Sequence, residues 1–277
     1  MLPDLTALQV GALLALGLTV GSIGTTVGIG GGILLVPVLL LLFPDPEPAI
    51  ITSMSLTAVV MNALSASIGY RRLGWQDTRT GGVLVAAAVP AAIAGAFLTR
   101  NIERGSFEIA FGVALVLGGL YLAWRGRSLP TFIAPSVRGT PRRITDRRLE
   151  TYEYRVREWL AAAIALVAGF VAAFFGIGGG IINVPVMMLV LKMPSRMAIA
   201  TSQLELMVAS AAALLVHLTV TFGEWDPWIR GLILGVGTVI GAQIGVRAAG
   251  MASGRIILLI IATVLFLSGA RQIIASA

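Results

Sequence analysis

Apolar residues follow one another along this chain in runs of about twenty, the length of a membrane-spanning helix. The runs fall at 6–27, 31–42, 49–70, 81–98 and 107–124, and again at 159–175, 179–191, 197–219, 229–248 and 254–274. Short polar or Gly/Pro-bearing stretches divide them. Two runs, 31–42 and 179–191, are too short to span: at about 1.5 Å per residue they reach roughly 18–20 Å, against roughly 30 Å of hydrocarbon. Pro37 and Pro185 shorten any regular helix there further. Each is either part of a broken span or one arm of a re-entrant hairpin with the run before it. The opening Met1-Leu2-Pro3-Asp4 carries no basic residue, so the first run reads as a retained span and not as a cleaved signal. The pattern predicts an all-α polytopic membrane protein.

The two short runs begin alike. Residues 28–37 read GIGGGILLVP and residues 176–185 read GIGGGIINVP, eight of ten identical at an offset of 148. Ala49-Ile50-Ile51-Thr52-Ser53 and Ala198-Ile199-Ala200-Thr201-Ser202 follow at an offset of 149, and Gly74 and Gly223 keep it. The chain therefore divides into a first membrane repeat at 1–124, a loop at 125–158 and a second repeat at 159–277. About five segments per repeat, an odd number, insert the second repeat upside down relative to the first. Gly/Pro-interrupted apolar segments at matching places in two halves point to the binding site of a secondary transporter.

Composition narrows the class. The chain is 57% hydrophobic and 12% charged, with mean hydropathy +0.93, which excludes an ordinary soluble domain. It has no cysteine and a single histidine, so thiol catalysis and Fe–S clusters are excluded and an all-protein zinc site is disfavoured; no cofactor or metal is expected. Of the formal charge of +7, residues 125–158 hold nine arginines against Asp146, Glu150, Glu153 and Glu158, a net of +5. Beside membrane helices such a cluster reads as positive-inside topology and contact with anionic headgroups, not as nucleic-acid binding.

With that loop in the cytoplasm, alternation puts Arg71, Arg72, Arg79, Lys192, Arg196, Arg247 and Arg255 inside. Asp45, Glu47, Glu224, Asp226 and both termini fall outside. Arg100 and Arg104 fall outside too, against the rule. Leu149, Tyr152, Val156 and Trp159 recur at 3-4-3 spacing, the pattern of an amphipathic interfacial helix. Pro130, Pro135, Gly139 and Pro141 make the stretch before it irregular.

The glycines are the first candidates for chemistry. Gly28, Gly30, Gly31 and Gly32, with Gly176, Gly178, Gly179 and Gly180, let the backbone unwind. Freed N–H groups and a helix start then make an anion site without a cationic side chain. The competing use of such glycines is close helix packing. The second candidate is Thr201-Ser202-Gln203-x-Glu205. Glu205 lies about 13 Å up its helix from Arg196, near the bilayer midplane, where a carboxylate is expensive and usually functional. It is either a proton-coupling group or a protonated residue gluing helices together. The first repeat has Leu56 at that position, and Leu35 opposite Asn183. Asn183 either supports the loop or binds ligand. Ser53, Ser55, Thr57, Asn62 and Ser65 make the third segment polar, with Ser53 and Asn62 counted as candidate contacts. His217, Gln243 and Arg247 sit toward helix ends, His217 reading as an interface residue and Arg247 as a snorkelling side chain.

The twin G-x-G-G-G-x-x-x-x-P motifs, the T-S pair after each and the inverted halves resemble the sulfite exporter TauE/SafE family of membrane permeases. The resemblance implies a carrier of small sulfur-containing anions such as sulfite, thiosulfate, sulfoacetate or other sulfonates, in the cytoplasmic (inner) membrane of a prokaryote, with the two motifs bordering the path. Proton coupling fits Glu205. The expected partners are a small anion and the lipid bilayer, without nucleic acid, and a homodimer is compatible. A carboxylate permease and a passive anion channel remain alternatives within transport. An intramembrane hydrolase is the weakest, because His217 has no GxSxG partner.

Overall fold

In the computed structural model the residues described are 5–43, 46–100, 102–127, 139–178, 180–219, 225–251, 259, 262–263 and 265–271. Gly179, Asp45, Gly223, Glu224, Arg255, Pro130, Pro135 and most of the 254–274 run lie outside them. The helices are α1 (Ala7–Val27), α2 (Gly32–Leu42), α3 (Pro48–Leu73), α4 (Thr78–Thr99), α5 (Arg104–Arg127), α6 (Glu158–Phe175), α7 (Gly180–Leu189), α8 (Ser195–Leu218) and α9 (Trp225–Ala248). Residues 265–271 are helical as well. Among the described residues seven helices are long and apolar enough to cross a membrane. The protein is a multi-pass α-helical membrane protein.

Local sequence explains the ends. Thr6 opens α1 with a capping box to Gln9. Pro48 takes the first turn of α3, where its missing N–H is harmless, and Gly74 closes α3 in the left-handed conformation. Asp77 caps α4, its carboxylate accepting from the Thr80 amide at 2.9 Å.

The packing repeats itself. α1 lies on α9 as α6 lies on α4; α3 lies on α9 as α8 lies on α4; α2 lies on α3 as α7 lies on α8. Directions follow from which residues meet. On α1 and α9, Gly237 abuts Leu14 and Leu18 while Gly245 abuts Ser22 and Thr26, so the two run parallel. Gly231 meets Met54 and Gly69 meets Val246, so α3 and α9 are parallel too. Gly169 meets Ala88, and Thr99 bonds the Phe174 carbonyl, so α4 and α6 are parallel. Thr52 at the start of α3 reaches His217 at the end of α8, so these two are antiparallel. The counterparts α1/α6, α3/α8 and α4/α9 therefore run in opposite directions: the repeats are inverted. Small residues at the α1–α9 seam let the backbones approach, as membrane helices without a hydrophobic driving force require.

The short helices are returning arms. The Arg104 guanidinium at the start of α5 donates to the carbonyls of Leu40 (3.0 Å), Phe43 (3.3 Å) and Pro46 (2.8 Å), beyond and within the last turn of α2. Arg230 near the start of α9 stacks over Phe43 at 4.8 Å. The end of α2 thus lies on the side where α1 and α9 begin. The Arg104 charge is used to cap a helix C-terminus, a local role for the cation that its place in the sequence pattern did not supply.

The loop between the repeats differs from expectation. No amphipathic helix forms over 149–159. Thr140–Thr145 (β1) and Thr151–Val156 (β2) form an antiparallel hairpin, with Arg142 opposite Tyr154 and Ile144 opposite Tyr152. The 3-4-3 spacing competed with a period-two alternation that places Tyr152, Tyr154 and Val156 on one face, in a β-branched and aromatic stretch that favours strand. Asp146 shapes the turn by accepting from the amides of Arg148 (2.8 Å) and Glu150 (3.0 Å). Trp159 belongs to the first turn of α6.

Candidate functional site

Both helices that lead into the motifs stop on a glycine. Gly28 closes α1 at φ +87°, its N–H bonded to the carbonyls of Gly24 and Thr25. Gly176 closes α6 at φ +68°, bonded to those of Ala172 and Ala173. Other side chains are strained in this conformation. Residues 28–31 and 176–178 are buried and non-helical, as the sequence led us to expect, while Gly32 and Gly180 already belong to the next helices.

The two breaks touch. A methyl group on Gly32 would collide with the Ile177 carbonyl, and one on Gly180 with the Gly28 carbonyl. Backbone meets backbone across the pseudo-twofold axis. The contact is sewn from both sides: Ser55 Oγ donates to the Gly176 carbonyl at 2.8 Å, and Ser202 Oγ to the Gly28 carbonyl at 3.1 Å. Leu206, midway along α8, lies against both Gly30 and Gly178. With Val59 and Ala63 of α3 it forms a small apolar cluster separate from the main core. The breaks therefore sit at mid-depth of the bundle.

The polar candidates divide into those occupied by structure and those left bare. Ser53 Oγ bonds its own helix at the Ile50 carbonyl, 2.7 Å. Thr201 Oγ1 accepts from the Asp77 amide at 3.1 Å, tying α8 to the α3–α4 turn. Asn62 is satisfied on both sides: its amide donates to the Gly30 carbonyl at 3.3 Å and its oxygen accepts from Thr25 Oγ1 at 3.1 Å. Asn183 Nδ2 donates to Glu205 Oε2 at 2.6 Å, bringing together two residues 22 positions apart. Asn183 Oδ1, Glu205 Oε1 and both amide atoms of Gln203 are buried without a partner among the described residues. His217, in the last turn of α8, is buried within the protein, with Nε2 3.4 Å from Thr52 Oγ1 at the start of α3. Gln243 bonds Ser65, and Arg247 is exposed at the end of α9.

These parts define the available chemistry. The amides of Gly31, Gly32 and Ile33 at the start of α2 meet no backbone carbonyl among the described residues, so the positive end of that helix opens at the break. α7 opens at Gly180 in the matching place. The sole buried Arg or Lys among the described residues is Arg142, in the hairpin. Any attraction for an anion at mid-depth thus comes from backbone.

Sequence reading missed the residues that dock the hairpin. Arg142 bonds Glu158 at 2.7 Å and Thr80 Oγ1 at 3.2 Å, and pairs with Asp77 at 3.4 Å. Tyr154 OH donates to Asp77 Oδ2 at 2.8 Å. Burial, then the Asp77 carboxylate, pushes that hydroxyl well above the usual tyrosine range, so it stays protonated and donating. Trp75 Nε1 bonds Asp146 at 3.3 Å, and Arg196 bonds Glu150 at 2.9 Å and stacks over Trp75 at 5.2 Å. The hairpin so grips the α3–α4 turn and the start of α8 together. Nothing in the sequence marked Thr25, Tyr70 or Asp77. The alternation in β2 was the available signal for Tyr154.

Residues 13–272 match the sulfite exporter TauE/SafE family. The chain belongs to this family. It is similar to a probable membrane transporter protein, YunE, of Bacillus subtilis (strain 168), 30% identical over 267 residues that cover 94% of this chain and 96% of the relative. A probable membrane transporter protein of Xylella fastidiosa (strain Temecula1) is 26% identical over 233 residues, 83% of this chain and 82% of the relative. No solved structure matches. Family and relatives agree with the fold: this is a membrane transporter.

Proposed function

We propose that this TauE/SafE protein moves a small sulfur-containing anion, such as sulfite, thiosulfate, sulfoacetate or another sulfonate, across the cytoplasmic membrane of a prokaryote, and that it acts as a permease, not an enzyme. The observation that carries the reading is the meeting of two inverted glycine breaks at mid-depth, beside buried amide and carboxyl atoms that have no partner among the described residues. Irregular backbone inside a membrane is tolerated where it lines a cavity or is buried in protein, and inverted carriers place their sites at such breaks. The α2 and α7 starts supply the attraction for the anion, while the free amide donor of Gln203 supplies a directional contact. Glu205 is the coupling group. The side carrying Arg71, Arg72, Arg79, Arg196 and the arginine-rich hairpin faces the cytoplasm. Alternating access is a rocking of one repeat against the other about the Gly28–Gly180 and Gly32–Ile177 contacts.

The test is flux of labelled sulfite and sulfoacetate into liposomes holding the purified protein. Saturable uptake by wild type, lost in Gly30→Val and Gly178→Val with protein still in the bilayer, is the expected result. Preference for simple carboxylates would replace the substrate class, unsaturable flux would make the protein a channel, and hydrolysis without flux would overturn transport.

A further inference from the structure

Glu205 is fully buried on α8, and no ion pair reaches it among the described residues. Its one hydrogen bond among the described residues comes from Asn183, which is itself fully buried on α7. The bridge Asn183 Nδ2 to Glu205 Oε2, 2.6 Å, holds the two groups side by side and leaves one oxygen of each, Asn183 Oδ1 and Glu205 Oε1, without a donor. Two bare oxygens on side chains joined by a hydrogen bond are costly in a membrane interior. A proton on Glu205 covers one of them and leaves the other. A single small cation covers both and cancels the carboxylate charge.

Backbone adds a further oxygen. Pro185 has no N–H, so the Ile181 carbonyl four residues earlier lacks its helical donor, on the turn of α7 that carries Asn183. Ser202, one turn before Glu205, spends its hydroxyl proton on the Gly28 and Ile199 carbonyls and keeps oxygen lone pairs. The oxygens left without a donor are thus one carboxylate and one amide oxygen, with the Ile181 carbonyl and the Ser202 hydroxyl within one helical turn of them in sequence. A divalent ion calls for more carboxylate, and no group of three acidic or histidine side chains exists among the described residues. A monovalent cation held by oxygens at a broken helix fits the composition.

We propose that Glu205 Oε1 and Asn183 Oδ1 form a sodium-binding site, through which the transporter couples to a sodium gradient. The coupling role rests on the transport reading above; the binding does not. The site exists in the second repeat alone, because Leu35 and Leu56 stand at the corresponding positions of the first and are both fully buried.

The experiment is thermal melting of the purified protein in detergent at fixed pH and ionic strength, with sodium replaced by potassium or choline, followed by equilibrium binding of radioactive sodium. Sodium should raise the melting temperature saturably where the others do not. Glu205→Gln and Asn183→Leu should each weaken the apparent sodium affinity by about tenfold or more, since loss of even an outer-shell partner of a ligand costs a metal site about that much. If a variant fails to fold, wild-type sodium binding is measured against pH, and protons must compete with it. A wild type that melts alike in all three salts, an equal sodium shift in both variants, or stabilisation by acid alone would overturn the site; the last would make Glu205 a proton carrier. Sodium binding without sulfite or sulfonate flux would leave the site standing and count against the substrate.

Discussion

The two repeats bend their backbone in the same place but fill the space around the bend differently. In the first, Thr25 and Asn62 form a closed pair that holds the Gly30 carbonyl, and Tyr70 OH adds a bond to the Thr25 carbonyl at 2.8 Å. Ala173 and Ala211 occupy the corresponding positions of the second repeat. There the polar pair is Asn183–Glu205 instead, and the first repeat answers it with Leu35 and Leu56. One pair spends its hydrogen-bonding capacity on holding the break, and the other keeps oxygen atoms in reserve. The two halves share a frame but differ around it: the first break is braced by satisfied polar groups, and the second holds polar atoms without a partner among the described residues.

The comparison breaks first at what the repeats share. Gly32→Ala and Gly180→Ala should be equally destructive, because each methyl meets a carbonyl of the other break and backbone cannot step aside. A loss of about 4 kcal/mol or more, seen as absence of folded protein in detergent, is expected for both. If one variant melts like wild type, the breaks are not equivalent.

The hairpin is a second asymmetry, since it braces one side of the bundle between the halves. Arg142→Ala leaves Asp77 and Glu158 without their buried cation and should cost about 3 kcal/mol. Protease cleavage within 139–157 should accelerate in parallel. Unchanged melting and cleavage would mean that the hairpin is only a passive linker.

Copying the first repeat into the second separates stability from chemistry. Glu205→Leu alone strands Asn183 and should cost about 2 kcal/mol, whereas Asn183→Leu with Glu205→Leu should melt close to wild type, because apolar replacement of a buried polar pair is often neutral. The double variant should nonetheless lose driven transport. Wild-type flux in it would remove the pair from the mechanism. In the first repeat, Asn62→Ala should cost about 1.5 kcal/mol by freeing Thr25 and the Gly30 carbonyl, while the sodium response stays as in wild type. The smallest effect belongs to the crossed serines: Ser55→Ala and Ser202→Ala should each cost about 1 kcal/mol, alike within error. A marked inequality in melting temperature would show that the breaks bear unequal load.

Much of the frame was legible in the residues. Long apolar runs mark spans because hydrocarbon offers no partner for polar groups, and the repeated glycine motif marks the breaks because few other residues accept a left-handed turn. Glu205 stood out for the same reason, as a carboxylate where carboxylates are expensive. The hairpin was misread, because over eleven residues a period of two and a period of 3.6 select overlapping sets of apolar positions. Arg104 looked like a topological exception, and its role at the end of α2 was visible only in the fold.

The information carried by single residues is therefore local and periodic: which segments are helical, where they break, that the two halves match and must be inverted. These follow from the polarity of single residues and from backbone limits that act within a few positions. The tertiary structure alone decided which side chains meet. Asn183 and Glu205, Asn62 and Gly30, Arg142 and Asp77 lie on different elements, and their pairing depends on how inverted helices cross. That crossing is set by close packing of small residues summed over many contacts, so no single position announces it.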